Sequence, residues 1–385
     1  MTTLNQSVAE RVQAVSRQAI SEERIVGSVV LVAQHGKVIY AEASGYADRE
    51  QQRPMRRETQ FRLSSVSKPY ITLAAMRMVE QHKLGLDDVV SRWLPWFTPA
   101  LADGRQPEIK IRHLLSHTAG LDYRFTQPED GPYQRLGIQD GMISSSLTLE
   151  QNLRLLAQAE LLVEPGREFH YSLAIDVLGA VLEAAAGEPL PQLFKRWVAQ
   201  PLGLGNTGFY TTDSGNMATA YQDTAARPEP IYDGMQLKLP EGFGFDIALS
   251  PSRAFDPHAY ASGGAGMVGD ADDVLRLVET LRNGGEGILQ PATVELMRQA
   301  HVGAEAETQG PGWGFGFGGA VLVDAQLAAT PQHNGTLQWG GVYGHSWFYD
   351  PQAALSVVAL TNTAFEGMSG LYPQQIRDAV YGVQG

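Results

Sequence analysis

The sequence predicts an α+β fold in which strands from both ends of the chain build one sheet, flanked by helices, with a mainly helical domain inserted between. Strand-like runs at 27–33 and 37–41 return only after Gly312, and the stretch between carries helical period or none. That arrangement joins the two ends of the chain in a single layer. A chain of 385 residues suits one large domain or two interleaved ones. The expected division is a sheet domain of residues 1–60 and 245–385 and a helical domain of residues 61–244, with a site at their interface.

Residues 1–25 alternate apolar and charged side chains with helical period, so a helix leads. Gln34-His35-Gly36 reads as a hairpin turn between the first two strands, and residues 45–48 as an exit from the sheet. From Val66 to Val79 the apolar positions fit a helix with one buried face, and Gly85 supplies a stop. Further helices are expected at 111–115, ending by Gly120, at 148–162, with Thr148 and Gln151 as a capping box, and at 173–186. Residues 203–251, rich in Gly, Pro, Asp and Tyr, read as long surface loops. A glycine cluster at 262–267 leads into a helix at 271–283 that Asp272 and Asp273 are expected to cap. Strands follow at 312–317, 320–323, 338–348 and 355–360, then a closing helix at 374–381.

Composition narrows the function. Hydrophobic content of 43% and charged content of 18% are those of an ordinary globular protein. A net charge of -13 discourages binding to nucleic acid or anionic membrane. The absence of cysteine excludes disulfides, thiolate catalysis and cysteine-ligated metal. The leading segment lacks the apolar core of a secretory signal and no run reaches membrane-spanning length, so a soluble cytoplasmic protein is expected.

Three stretches carry chemistry. Ser64-Ser65-Val66-Ser67-Lys68 opens the helix after Phe61, where unpaired backbone N–H groups gather. Ser65 and Lys68, three apart, share one helical face. A serine hydroxyl needs a base, and an amine serves if its surroundings hold it neutral. An N-cap serine followed by an exposed lysine would give the same four residues. Tyr171, before the helix at 173–186, can point a phenol into a cleft and relay a proton. Trp339-Gly340-Gly341-Val342 is a Gly-rich strand along which a substrate can approach closely, and a backbone N–H there could pair with that of Ser65 as an oxyanion hole.

Taken together and in this order, these motifs, with Ile111-Arg112-His113-Leu114-Leu115-Ser116-His117-Thr118-Ala119-Gly120-Leu121, resemble the serine β-lactamase-like and penicillin-binding-protein superfamily. Within it the chain is most similar to the family VIII carboxylesterases, which look like class C β-lactamases but act mainly on esters. The resemblance spans nearly the whole chain and implies a β-lactamase/transpeptidase-like antiparallel sheet. It implies Ser65 as nucleophile, Lys68 as its base and Tyr171 as proton relay. The oxyanion hole would be the N–H groups of Ser65 and Val342. Trp339, Gly340 and Gly341 would border the substrate, and Tyr123 would form a pocket wall. The partner is a small-molecule ester; no cofactor or metal is expected.

Two departures from the β-lactamase pattern have physical content. Trp339 stands where a lysine usually holds the substrate carboxylate, and Leu173 stands where an asparagine usually contacts the acyl side-chain amide. Both favour neutral, apolar esters. The Glu-x-x-Leu-Asn segment that class A enzymes use for deacylation is also missing, which leaves that step to Tyr171 and Lys68. The expected activity is a serine carboxylesterase of short- to medium-chain esters. Acyl transfer to an alcohol uses the same residues; β-lactamase or D-amino peptidase activity and a non-catalytic scaffold are further readings. A Gly-x-Ser-x-Gly elbow is absent, and the i, i+4 pair His113 and His117 lacks the glutamate of a zinc site, so both are expected to hold loop backbone.

Overall fold

The computed structural model describes residues 7–383. Eight antiparallel strands form the central sheet. In spatial order they are Trp313–Phe315, Ala320–Leu322, Leu337–Gly341, His345–Asp350, Leu355–Thr361, Gly27–Gln34, Lys37–Asp48 and Arg53–Pro54. The first strand in sequence pairs with the last, Val30 opposite Ala359, so the two ends of the chain close one layer as the sequence implied. Alternation explains why both faces are covered. Val30 and Val32 pack outward with Val357 and Ile376, whereas Val29 and Leu31 face the main core with Val358 and Leu360. Helices Val8–Ser21 and Leu371–Tyr381 cover the outer face, and helix Ala271–Arg282 covers the inner one. Ser7 caps the leading helix with a full capping box; the start of the predicted segment, residues 1–6, lies outside the described residues.

The helix Ser67–Glu80 is buried nearly all round, not on one face: every residue from Ser67 to Met76 is enclosed. It stops before Gly85 because His82 takes the left-handed conformation (φ 56°), and the Lys83 N–H reaches back to the Met78 carbonyl at 2.9 Å. The second strand runs through to Asp48, since its pairing continues to Gly45 opposite Gly27 and residues 45–48 stay in the sheet. The helix beginning after Thr148 has the expected capping box but ends at Leu156. Beyond it, the Leu161 and Leu162 N–H groups bond the carbonyls of Ala100 and Gly120. The cap of helix Ala271–Arg282 is Asp270, which accepts the Asp273 N–H at 2.9 Å. Asp272 pairs with Arg57, and Asp273 accepts from Asn206 and Thr207.

The stretch 203–251 is not loop alone. It holds a hairpin of Met235–Lys238 and Asp246–Leu249 and a two-residue pair, Tyr221–Gln222 with Glu229–Pro230. Residues 338–348 form two strands, Leu337–Gly341 and His345–Asp350, around a turn at Val342–Gly344. Helices Pro291–Arg298 and Ala364–Ser369 were not anticipated.

Candidate active site

The turn that carries Ser65 is built by ties to a strand distant in sequence. Phe61–Arg62 pairs with Val268–Gly269, the Leu63 N–H donates to the Met267 carbonyl, and the Met267 N–H donates to Ser67 Oγ at 3.1 Å. Ser64–Val66 then forms one 3₁₀ turn that carries Ser65 into the helix. Ser64 carries the conformational cost: its φ is +43°, a region that L residues rarely enter, and its buried hydroxyl has no partner among the described residues. The turn Gly341–Gly344 packs directly on it. A side-chain carbon at Gly341 would come within 2.5 Å of both the Leu63 carbonyl and Ser64 Oγ, so only glycine lets the strand come this close.

Three groups from distant parts of the chain meet at Ser65 Oγ. Lys68 Nζ lies 3.1 Å away and also donates to the Gly264 carbonyl at 2.8 Å. The Tyr171 hydroxyl donates to Ser65 Oγ at 2.7 Å. Lys68 is only 2% exposed, and its head sits over the rings of Tyr171 and Tyr123, at 4.6 and 5.3 Å. Trp339 Nε1 donates to the Tyr171 hydroxyl at 3.2 Å. That donor on the phenol oxygen helps stabilise negative charge there. The sequence placed Trp339 at the substrate border; it also hydrogen-bonds the phenol that reaches Ser65.

The N–H groups of Ser65 and Val342 have no acceptor among the described residues, and both residues border the same cleft. They remain available to an oxyanion. Gly340 lines that cleft, whereas Gly341 is buried behind it against the nucleophile turn. Tyr123 forms part of the wall but is itself 1% exposed, stacked on Phe125 at 4.6 Å. Burial, with Tyr171 and Asp176 nearby, pushes its phenol well above the usual range, so it stays neutral. Leu173 is fully buried, away from the cleft.

The cleft, about 1050 Å³, runs from Ser65 across strands Leu337–Gly341, His345–Asp350 and Leu355–Thr361 to helix Leu371–Tyr381. Near the nucleophile its walls are Phe125, Phe169, Leu239, Ile247 and Trp313, with no lysine among its lining residues. Of these only the neighbourhood of Tyr171 was signalled in sequence. Gly264 was missed, because a backbone carbonyl leaves no side-chain trace.

The histidines serve the scaffold. His117 Nδ1 accepts the Ser172 N–H at 3.2 Å, and its ring lies 4.8 Å from that of Tyr171. Burial, then the charge of Lys68, pushes its pKa well below the usual value, so it stays neutral. His113 Nδ1 accepts the Lys110 N–H at 3.1 Å. Among the described residues no cluster of metal-ligating side chains occurs.

His345, opposite Gly341, donates from Nε2 to the Arg62 carbonyl at 2.8 Å and is held neutral by burial, which lowers its pKa to about 4. The unfolded chain binds that proton near pH 6.5, so between 6.5 and 4 it holds more protons than the folded one. His345 therefore stabilises fully above pH 6.5, and about 2 to 3 kcal/mol is lost as pH falls to 4.5. Asp140, pushed up to about 7 by burial, acts with the opposite sign, so the effect is read as a difference. The stability gap between wild type and His345→Gln in urea should shrink by that amount from pH 7 to 4.5. A gap independent of pH would show that His345 is not held neutral.

Comparison with known proteins identifies the family. The family model named Beta-lactamase matches residues 4–380. Esterase EstB of Burkholderia gladioli is 51% identical over 375 residues, 97% of this chain and 95% of that protein. The solved structure of EstCE1, described as a hydrolase with promiscuous acyltransferase activity, is 83% identical with a TM-score of 0.97, covering 98% of this chain and 99% of that one. Simvastatin synthase (LovD) from Aspergillus terreus shares the fold at 21% identity, with a TM-score of 0.75 and 98% of each chain covered. No helix among the described residues is long and apolar enough to cross a membrane. With a fold of this type throughout and a match over nearly its full length, the chain belongs to the beta-lactamase family.

Proposed function

We propose that this chain is a serine carboxylesterase that hydrolyses neutral short- to medium-chain esters through an acyl-enzyme on Ser65. The observation that carries this is the convergence of Lys68 Nζ and the Tyr171 hydroxyl on Ser65 Oγ at 3.1 and 2.7 Å. Its relation to an esterase and to a hydrolase with promiscuous acyltransferase activity supports the same reading.

Ser65 Oγ attacks the ester carbonyl as Lys68 Nζ takes its proton, directly or through Tyr171. The N–H groups of Ser65 and Val342 hold the oxyanion, each worth about 3 kcal/mol in the transition state. Tyr171 returns the proton to the departing alkoxide; water then enters and the relay runs again to release the acid. The site lies where the two proposed bodies meet, residues 1–60 and 245–385 around the sheet and 61–244 mainly helical.

Acyl transfer to an alcohol is the second reading. It uses the same acyl-enzyme, and the apolar walls formed by Phe169, Trp313 and Trp339 would hold an alcohol as readily as water. Adding a primary alcohol and measuring the ester formed separates the two.

Substrate charge provides the test. A carboxylate-bearing β-lactam finds an indole, not an ammonium, at position 339. Wild type should hydrolyse p-nitrophenyl butyrate far faster than a chromogenic cephalosporin, and Trp339→Lys should move the kcat/KM ratio toward the cephalosporin by about tenfold or more. An unchanged ratio would remove Trp339 from the account of specificity, and a wild type that prefers the cephalosporin would overturn the esterase reading.

A further inference from the structure

The mechanism leaves unused one buried carboxylate close to the catalytic amine. Asp176 lies in the first turn of helix Ala174–Ala186, five residues beyond Tyr171, and is 0% exposed. Its Oδ2 faces Gly264: a side-chain carbon there would come within 2.5 Å of that oxygen. Its Oδ1 faces the Gly141–Ser262 contact. The Ser262 hydroxyl and the Gly264 N–H point at the carboxylate and favour its charged form, and among the described residues neither oxygen has a closer partner. A buried carboxylate so poorly satisfied is costly, and a fold keeps such a group where it performs a task.

The position of Asp176 defines that task. The turn it faces is the one whose Gly264 carbonyl receives Lys68 Nζ at 2.8 Å, and Ser262 Oγ accepts the Ala265 N–H at 3.1 Å within the same turn. We propose that Asp176 is a positioning residue for Lys68, holding the 262–265 turn so that the Gly264 carbonyl fixes the amine against Ser65. The helix that carries Asp176 starts directly after Tyr171 and Ser172, so one element sets both partners of the nucleophile. The charged and titratable groups around Asp176 are Lys68, Arg253 of the turn Pro251–Phe255, Tyr123, and Tyr260 with its neighbour Asp140. Burial raises the pKa of Asp176, while Lys68 and Arg253 draw it back toward the charged form.

This inference rests on Lys68 being the base of the proposed esterase. The test is Asp176→Asn, which keeps the shape of the side chain and replaces one carboxyl oxygen by an amide nitrogen. For p-nitrophenyl butyrate kcat should fall about tenfold or more with KM within about twofold, because a base displaced by a fraction of an ångström loses its alignment but not the substrate. A merely structural role would lower the melting temperature and leave kcat of the folded enzyme in place. A folded Asp176→Asn enzyme with kcat within twofold of wild type overturns the proposal, as does a loss carried by KM alone. Should Asp176→Asn fail to fold, Ser262→Ala must lower kcat at constant KM, and an unchanged kcat rejects the role. An inactive Ser65→Ala beside an unimpaired Asp176→Asn rejects only this inference; an active Ser65→Ala rejects the esterase mechanism beneath it.

Discussion

Ser65→Ala is expected to abolish turnover of p-nitrophenyl butyrate, with a loss of about 10⁴-fold or more, while the fold survives. The magnitude follows from covalent catalysis: without Oγ no acyl-enzyme forms, and the oxyanion donors and cleft can only assist a water with no positioned nucleophile. The survival of the fold follows from what Oγ touches. Among the described residues it bonds only Lys68 Nζ and the Tyr171 hydroxyl, and each keeps another partner, the Gly264 carbonyl and Trp339 Nε1. The melting temperature should therefore stay near that of wild type. Initial rates, a thermal melt and mass-detected labelling by a fluorophosphonate decide the matter together. Wild type should take up one label per chain at Ser65 and the variant none. Retained hydrolysis in a folded, unlabelled variant would move the nucleophile elsewhere.

The residues of this constellation were legible in the sequence because each is a side chain with a chemical signature in a recognisable order. Ser65 and Lys68 lie three apart at a helix start, Tyr171 precedes an amphipathic run, and Trp339 opens a Gly-rich strand. The sheet was legible for a similar reason, since Val29 to Val32 and Val357 to Leu360 read as continuous apolar runs that only a doubly covered layer can bury. What escaped notice was carried by backbone or by tertiary context. The Gly264 carbonyl has no signature, and the left-handed His82 that ends helix Ser67–Glu80 stands where a glycine would have announced the stop. The turn at Val342–Gly344 was hidden because Gly341, His345 and their neighbours suit an unbroken strand locally. The tight fit of Gly341 on the Leu63 carbonyl places the turn there. The hairpin at 235–249 was masked by the glycines and prolines around it, which announce loops whatever lies between.

Removing only the phenol oxygen should have the second largest effect. In Tyr171→Phe the ring keeps its packing on His117, Tyr123 and Trp339, at 4.8, 5.2 and 5.1 Å, so the cleft wall and KM should change little. The bonds to Ser65 at 2.7 Å and from Trp339 at 3.2 Å disappear. General acid–base groups contribute about 10²- to 10⁴-fold, so kcat should fall by at least about a hundredfold. The size of the fall should depend on the leaving group, and this separates a proton donor from a group that only holds Ser65. Weakly basic p-nitrophenolate departs with little help, whereas an alkoxide must be protonated as it leaves. Ethyl butyrate hydrolysis should therefore suffer more than p-nitrophenyl butyrate hydrolysis in the same variant. Equal losses on both esters would confine Tyr171 to activating the attack and leave the protonation of the alkoxide to Lys68, whose Nζ stands 3.1 Å from Ser65 Oγ.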